Sequence, residues 1–275
     1  MINFRYHVVS LTAVFLALAI GLVVGTAALN GPVADSLKDR VNALSKNNEQ
    51  LRESVNNMET EVKREEDFLT EAAPHLLGGK LAGRRVLLLT LPTGREHVDG
   101  VAEMLRMAGA SVTGRIDLQD KFIHPDNNYE LLGMAARSAR PTIPSSGLPG
   151  NSDGVETSSA LLASALLDRP EGGSPVTDVD RQAVLDEYSG EGYLTVSDKI
   201  GTAVVAGSGS SGGNVVAEVR RDPALSKTIS TVDNANTVAG QVVTALATVR
   251  QLVDKKAGAY GVGADAESLL PKLPE

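Results

Sequence analysis

Cysteine is absent from the chain, which excludes disulfide frameworks and thiolate metal sites. Tryptophan is absent too and aromatics reach only 3%, so any core must be built from Val, Leu and Ala. No basic run carries interleaved aromatics, and 26 Lys and Arg stand against 34 Asp and Glu for a net charge of −8. Nucleic acid is therefore not an expected partner. Histidine is scarce, with four scattered residues (His7, His75, His97 and His124). There is no nucleophile-elbow serine and no His-Glu zinc motif. Without a catalytic constellation the chain reads as non-enzymatic, with no catalytic, cofactor-binding or metal residue assigned. Asp178 and Asp180 fit first-turn charges of a helix, and Glu65-Glu66-Asp67 fits a solvated helix face.

Charge is also missing from one long stretch. Val8 to Leu29 runs 22 residues without an ionisable side chain, and as a helix it would be roughly 33 Å long, enough to cross a bilayer. A cleaved secretory signal has a shorter apolar centre, although Gly25-Thr26-Ala27-Ala28 could serve as a cleavage site. A soluble core helix would show a polar face, and here only Ser10, Thr12 and Thr26 are polar. The expectation is a membrane anchor over residues 8–29. Arg5 precedes it and mixed charge follows (Asp35, Lys38, Asp39, Arg40), so the short segment 1–7 is expected in the cytoplasm and the rest outside the cell membrane.

Residues 33–73 then carry a seven-residue repeat. Ala34, Val41, Asn48, Val55, Val62 and Leu69 take the a positions, with Leu37, Leu44, Leu51, Met58, Glu65 and Ala72 at d. Valine at a with leucine at d favours two parallel strands, and one Asn at a sets register. The g to e′ pairs of a parallel homodimer (Arg40–Ser45, Asn47–Arg52, Ser54–Glu59, Glu61–Glu66) include no opposite charges. Three readings stay open: a homodimeric coiled-coil stalk, a stalk paired with a different protein whose e and g residues are basic, and a lone helix.

After Pro74 and the Gly78-Gly79 break, residues 80–256 read as one exported α/β domain. Arg85 to Leu91 is a continuous apolar run of a strand covered on both faces. Thr93 and Glu96 suggest a capping box, followed by a helix with Val98, Val101, Ala102, Leu105 and Ala108 on one face. Gly109 ends that helix, and Ser111 to Leu118 reads as a strand. This βαβ opening predicts a mostly parallel sheet in a small three-layer domain. Helices are predicted at 128–139, 156–167, 178–188 (capped by Thr177), 214–220 and 235–254. Strands are predicted at 193–197, 202–206 and 228–232. Pro141 to Gly154 reads as an exposed loop, and 258–275 as a disordered tail.

Two patterns invite chemistry. Gly207-Ser-Gly209-Ser-Ser-Gly212 has G-x-G-x-x-G spacing after a strand, and Asp233 stands where a ribose-binding carboxylate would. Yet Gly213 extends the run into a linker-like GSGSSGG, which favours a plain strand-to-helix turn, and no nucleotide is expected. In the absence of cysteine, copper ligands would be imidazole or thioether, from His75, His97, His124, Met58, Met104, Met107 or Met134. His97 and Met104 lie seven apart on one predicted helix, with Met107 beyond, but Met104 and Met107 equally fit gap-fillers beside a core.

The N-terminal MINFRYHVVSLTAVFLALAIGLVVGT, the heptad stalk, and the C-terminal STVDNANTVAGQVVTALATVRQL with its trailing AYGVGA resemble the actinobacterial MctB-type copper transporter proteins. FRYH (Phe4 to His7) and STVDNA (Ser230 to Ala235) are the most specific segments. The resemblance implies a membrane-associated component of copper homeostasis or copper efflux, with copper as the transported or bound ion. It supplies no ligand motif to carry over to particular residues. A weaker resemblance to stalked envelope proteins that act in cell-wall remodelling implies the alternative, a non-enzymatic envelope scaffold or adaptor. For STVDNA two roles stay open, a binding edge or a strand end with Asp233 and Asn234 as helix caps.

Overall fold

The computed structural model describes residues 4–29, 32–138, 140–143, 153–166, 176–197, 204–208, 227 and 229–272. Two compact units result, Met1–Arg64 and Glu65–Glu275.

The first unit is helical. Helix α1 spans Phe4–Leu29, and its Arg5–Ala27 stretch is long and apolar enough to cross a membrane, with none of it buried in protein. Its two threonines are satisfied locally: Thr12 Oγ1 donates to Val8 O at 2.7 Å and Thr26 Oγ1 to Leu22 O at 2.9 Å. Such back-bonding satisfies the two threonine hydroxyls within the helix itself. Helix α2 runs Pro32–Leu77, and its portion up to Arg64 belongs to this unit.

The helix does not stop at the expected stalk end, residue 73: α2 continues through Pro74 to Leu77 and breaks at Gly78-Gly79. A proline costs an interior helix about 3 kcal/mol. Here Ala73 and Leu77 on the last turns are fully buried in a core with Leu81, Val98 and Leu105, and this burial offsets the lost hydrogen bond. Gly78 N–H then donates to Pro74 O, and Gly79 turns the chain at φ 74°.

The second unit is mixed α/β. Strand β1 (Arg85–Thr90) lies between β2 (Ser111–Leu118) and β4 (Val204–Ser208), parallel to both, and β3 (Leu194–Ser197) adds an antiparallel edge beside β2. The β1–β2 register shifts between Val86 and Leu87, where Gly114 takes φ 153°. One residue, Thr113, bulges out there. The alternation of β1 sorts its side chains: Val86 and Leu88 enter one core with helix α3 (Val98–Met107), while Leu87 and Leu89 enter another. That second core holds α5 (Asn128–Arg137), α6 (Gly154–Leu166) and α7 (Asp178–Gly190), with Phe122 of the short α4 (Asp120–Ile123). Helices thus cover both faces, as a strand apolar on both sides requires.

Local rules account for several joints. Gly109 (φ 90°) ends α3 with Ala110 N–H to Leu105 O at 3.0 Å and Gly109 N–H to Arg106 O at 2.8 Å, the paired closure of a Schellman motif. Gly192 ends α7 the same way, with Tyr193 N–H to Tyr188 O at 2.9 Å. Thr177 caps α7 as predicted, accepting from Asp180 N–H. Tyr188 donates its hydroxyl to Ser158 Oγ at 2.9 Å, and burial pushes its phenol up to about 12.

Other joints differ from the sequence reading. The Thr93–Glu96 capping box does not form: Pro92 opens a 3-10 turn over Pro92–Gly94 and α3 begins only at Val98, with His97 before it. Pro92 fixes its φ and offers no N–H; its turn closes through Gly94 N–H to Leu91 O and the next through His97 N–H to Gly94 O. Strand β5 is only Thr231–Val232 and pairs with β6 (Ala259–Tyr260), outside the main sheet. The last helix, α8 (Val238–Val253), starts three residues later than expected, because Thr237 and not Asp233 or Asn234 caps it. From Gly258 to Lys272 the expected disordered tail is instead described, with Tyr260 buried beside Val243 and Ala247. Ile143, inside the expected exposed loop, is buried, and Gly154 already belongs to α6. The predicted helix at 214–220 and most of the 141–154 loop lie outside the described residues.

Candidate functional site

In an open parallel sheet a ligand crevice forms where neighbouring connections diverge, at the carboxyl ends of the strands. At the carboxyl ends of β1 and β4, Thr90 stands beside Ser208. Thr90 is fully buried and its hydroxyl has no hydrogen-bond partner among the described residues. The neighbouring polar groups bind one another. Arg95 donates to Leu118 O at 2.9 Å and to Gln119 Oε1 at 2.7 Å, and Gln119 Nε2 donates to Thr195 Oγ1 at 2.9 Å. Arg115 joins Asp117 at 2.6 Å and Asp99 at 3.2 Å. This network tethers the loop after β1 to the edge strand. It brings together no nucleophile with a base.

Gly207 and Ser208 sit at the end of β4, while Gly209 to Gly212 lie outside the described residues. The carboxylate proposed for a ribose is already engaged. Asp233 accepts from Val262 N–H at 2.8 Å and Gly263 N–H at 2.9 Å, on a ribbon separate from the main sheet. STVDNA is therefore an anchor for the C-terminal segment. Replacing Asp233 with Ala is expected to free residues 258–272. Limited proteolysis should then cut near Tyr260 at least about ten-fold faster, the consequence of losing two charge-assisted bonds of ~1.5–3 kcal/mol each. An unchanged cleavage rate would remove this role.

The candidate copper ligands do not converge. Met104 is buried in the α3–α8 core with Met107 packed against it, whereas Met134 is buried in the core on the opposite sheet face. His97 precedes α3 and makes no capping bond. His124 is exposed and accepts Asp126 N–H at 3.4 Å through Nδ1. His75 is exposed on α2, and Met58 is exposed on the same helix within the first unit. Among the described residues no three of His, Asp and Glu gather to hold a metal ion.

Two further surfaces stand out among the described residues. On α2, the seam residues from Leu37 to Val62 are half or more exposed. On α1, Ala13, Ala17, Gly21 and Gly25 form a stripe at four-residue spacing, and a Cβ added at Gly21 or Gly25 would meet nothing within 4 Å. Such a small-residue stripe lets membrane helices approach closely, and its signal in the sequence is the four-residue spacing, which length and absence of charge do not carry.

The family model described as "Copper transport outer membrane protein, MctB" matches residues 1–202 and 196–271. Proteins named "Copper transporter MctB" from Mycobacterium tuberculosis and Mycobacterium bovis are each 26% identical over 318 aligned residues, covering 98% of this chain and 99% of theirs. A protein of the same name from Mycobacterium leprae is 26% identical over 313 residues with the same coverage.

Proposed function

The chain belongs to the MctB copper transport family, and we propose that it is a membrane-anchored component of copper homeostasis that takes part in moving copper out of the cell. The observation that carries this is the family match through both units, from α1 to the ribbon of β5 and β6. The apolar helix α1 supplies the anchor. Arg5 before the span and the mixed charge after it support a cytoplasmic N-terminus with the α/β unit outside.

Physical chemistry limits what one copy does. A single apolar helix encloses no polar path for an ion. The contribution of this chain to copper movement is then exerted with other chains, its own copies or partners. The test is deletion of its gene in the organism that makes it. Cells lacking it are expected to accumulate several-fold more copper under copper load and to tolerate less copper, with zinc tolerance unchanged and the defect cured by the full chain. Unaltered cellular copper and tolerance would overturn the proposal and return the envelope scaffold to first place.

A further inference from the structure

We propose that the stalk pairs with a second copy of this chain as a parallel, in-register two-stranded coiled coil over about Ala34 to Val62. The inference does not rest on the copper reading. Val41, Leu44, Leu51, Val55, Met58 and Val62 follow a three-and-four spacing on α2 that only Asn48, between Leu44 and Leu51, interrupts, and each is between 50% and 68% exposed. That spacing puts them on one seam. An apolar stripe of this length is costly to leave in water.

The occupant follows from the polar residue in the seam. Asn48 holds an a position. Opposite an apolar partner residue its amide would lose water without gaining a hydrogen bond. Opposite its own copy it donates and accepts across the axis, and in a parallel pair this occurs in a single register. Two copies that enter one membrane through α1 also start with the same orientation. The flanks set the end of the seam: Glu61 would face Glu66 and the d position falls to Glu65, so pairing stops near Val62 where like charges and a polar seam meet.

The absence of cysteine makes the test direct. Full-length chains carrying only Leu44→Cys, only Val55→Cys, or only Lys46→Cys on the outer face are oxidised in isolated membranes and run without reductant. Leu44→Cys and Val55→Cys are expected to shift most of the chain to twice its mass, while Lys46→Cys stays monomeric. Equal abundance of the three on a reducing gel shows that each is made. Failure of both seam variants to link, as for a lone helix or an antiparallel pair, would overturn the proposal. So would linkage to a band of any other mass, which would mark a different partner, or linkage at Lys46→Cys to the same extent.

Discussion

Replacing Gly240 with alanine is expected to destabilise the α/β unit by about 3 kcal/mol or more, although the same change in an ordinary helix interior stabilises by ~0.5–1 kcal/mol. The reason is the turn that precedes α8. Thr237 donates both its N–H and its hydroxyl to Asn234 O, each at 3.0 Å, and its Oγ1 in turn accepts Gly240 N–H at 3.1 Å. This folds the turn back over the first helical residues. A Cβ on residue 240 would lie 1.9 Å from Asn234 O and 2.8 Å from Ala235 N. These are backbone atoms and cannot swing aside as a side chain would. Either the turn opens or the first turn of α8 moves, and α8 carries Val242, Ala245, Leu246 and Val249 into the core beside α3. Gly100 supplies the contrast, since the three atoms nearest to its added Cβ all belong to the end of the Gln241 side chain, which can swing aside. Gly100→Ala should therefore cost less than about 1 kcal/mol. The measurement is chemical unfolding of the full chain followed by circular dichroism. Stabilisation by Gly240→Ala, or equal effects at both positions, would defeat the argument.

That glycine also shows where the sequence was and was not legible. Elements whose cause is local were readable. The apolar run of β1, the turn glycine at 109 and the Thr177 cap each act within a few residues, and β2 falls over Ser111–Leu118 as its pattern predicts. What stayed hidden depends on a partner distant in the chain or on a clash that only three dimensions reveal. Gly240 reads as a weak helix residue until Asn234 O is placed above it. Asp233 reads as a cap until Val262 and Gly263, some thirty residues later, present their N–H groups. The C-terminal segment has the composition of a tail, yet it is held by those bonds and by Arg250, which donates to Lys272 O at 2.8 Å. For the candidate copper ligands, spacing along α3 suggested a shared face. The structure uses Met104 for packing instead, because the apolar side of that helix turns to the core.

The second large effect is expected at Arg181, whose replacement by methionine should cost about 2–4 kcal/mol. Arg181 is only 3% exposed. Its Nε donates to Ala165 O at 3.2 Å and its Nη2 to Val176 O at 3.2 Å, while Nη1 meets Asp178 Oδ1 at 2.5 Å. Ala165 lies among the last residues of α6, whose carbonyls have no partner within the helix. The guanidinium thus closes the end of α6 and binds the residue leading into α7. Methionine matches much of the volume but donates nothing, so two carbonyls lose their partners at ~1–3 kcal/mol each, partly offset where water reaches them. Lysine keeps the charge but cannot reproduce the planar fork, and Arg181→Lys should fall between, near ~1–2 kcal/mol. Asp178 tells whether charge pairing or carbonyl binding matters. Its side chain is 96% exposed, so solvent screens the pair, and Asp178→Ala should cost under about 0.5 kcal/mol. A loss at Asp178→Ala as large as at Arg181→Met would mean that the ion pair, and not the closure of α6, holds this region. The outcome also bears on copper phenotypes. A destabilised head lowers the amount of chain in the membrane, so a copper defect in Arg181→Met cells should scale with protein abundance, whereas a residue that handles copper would lose tolerance at unchanged abundance.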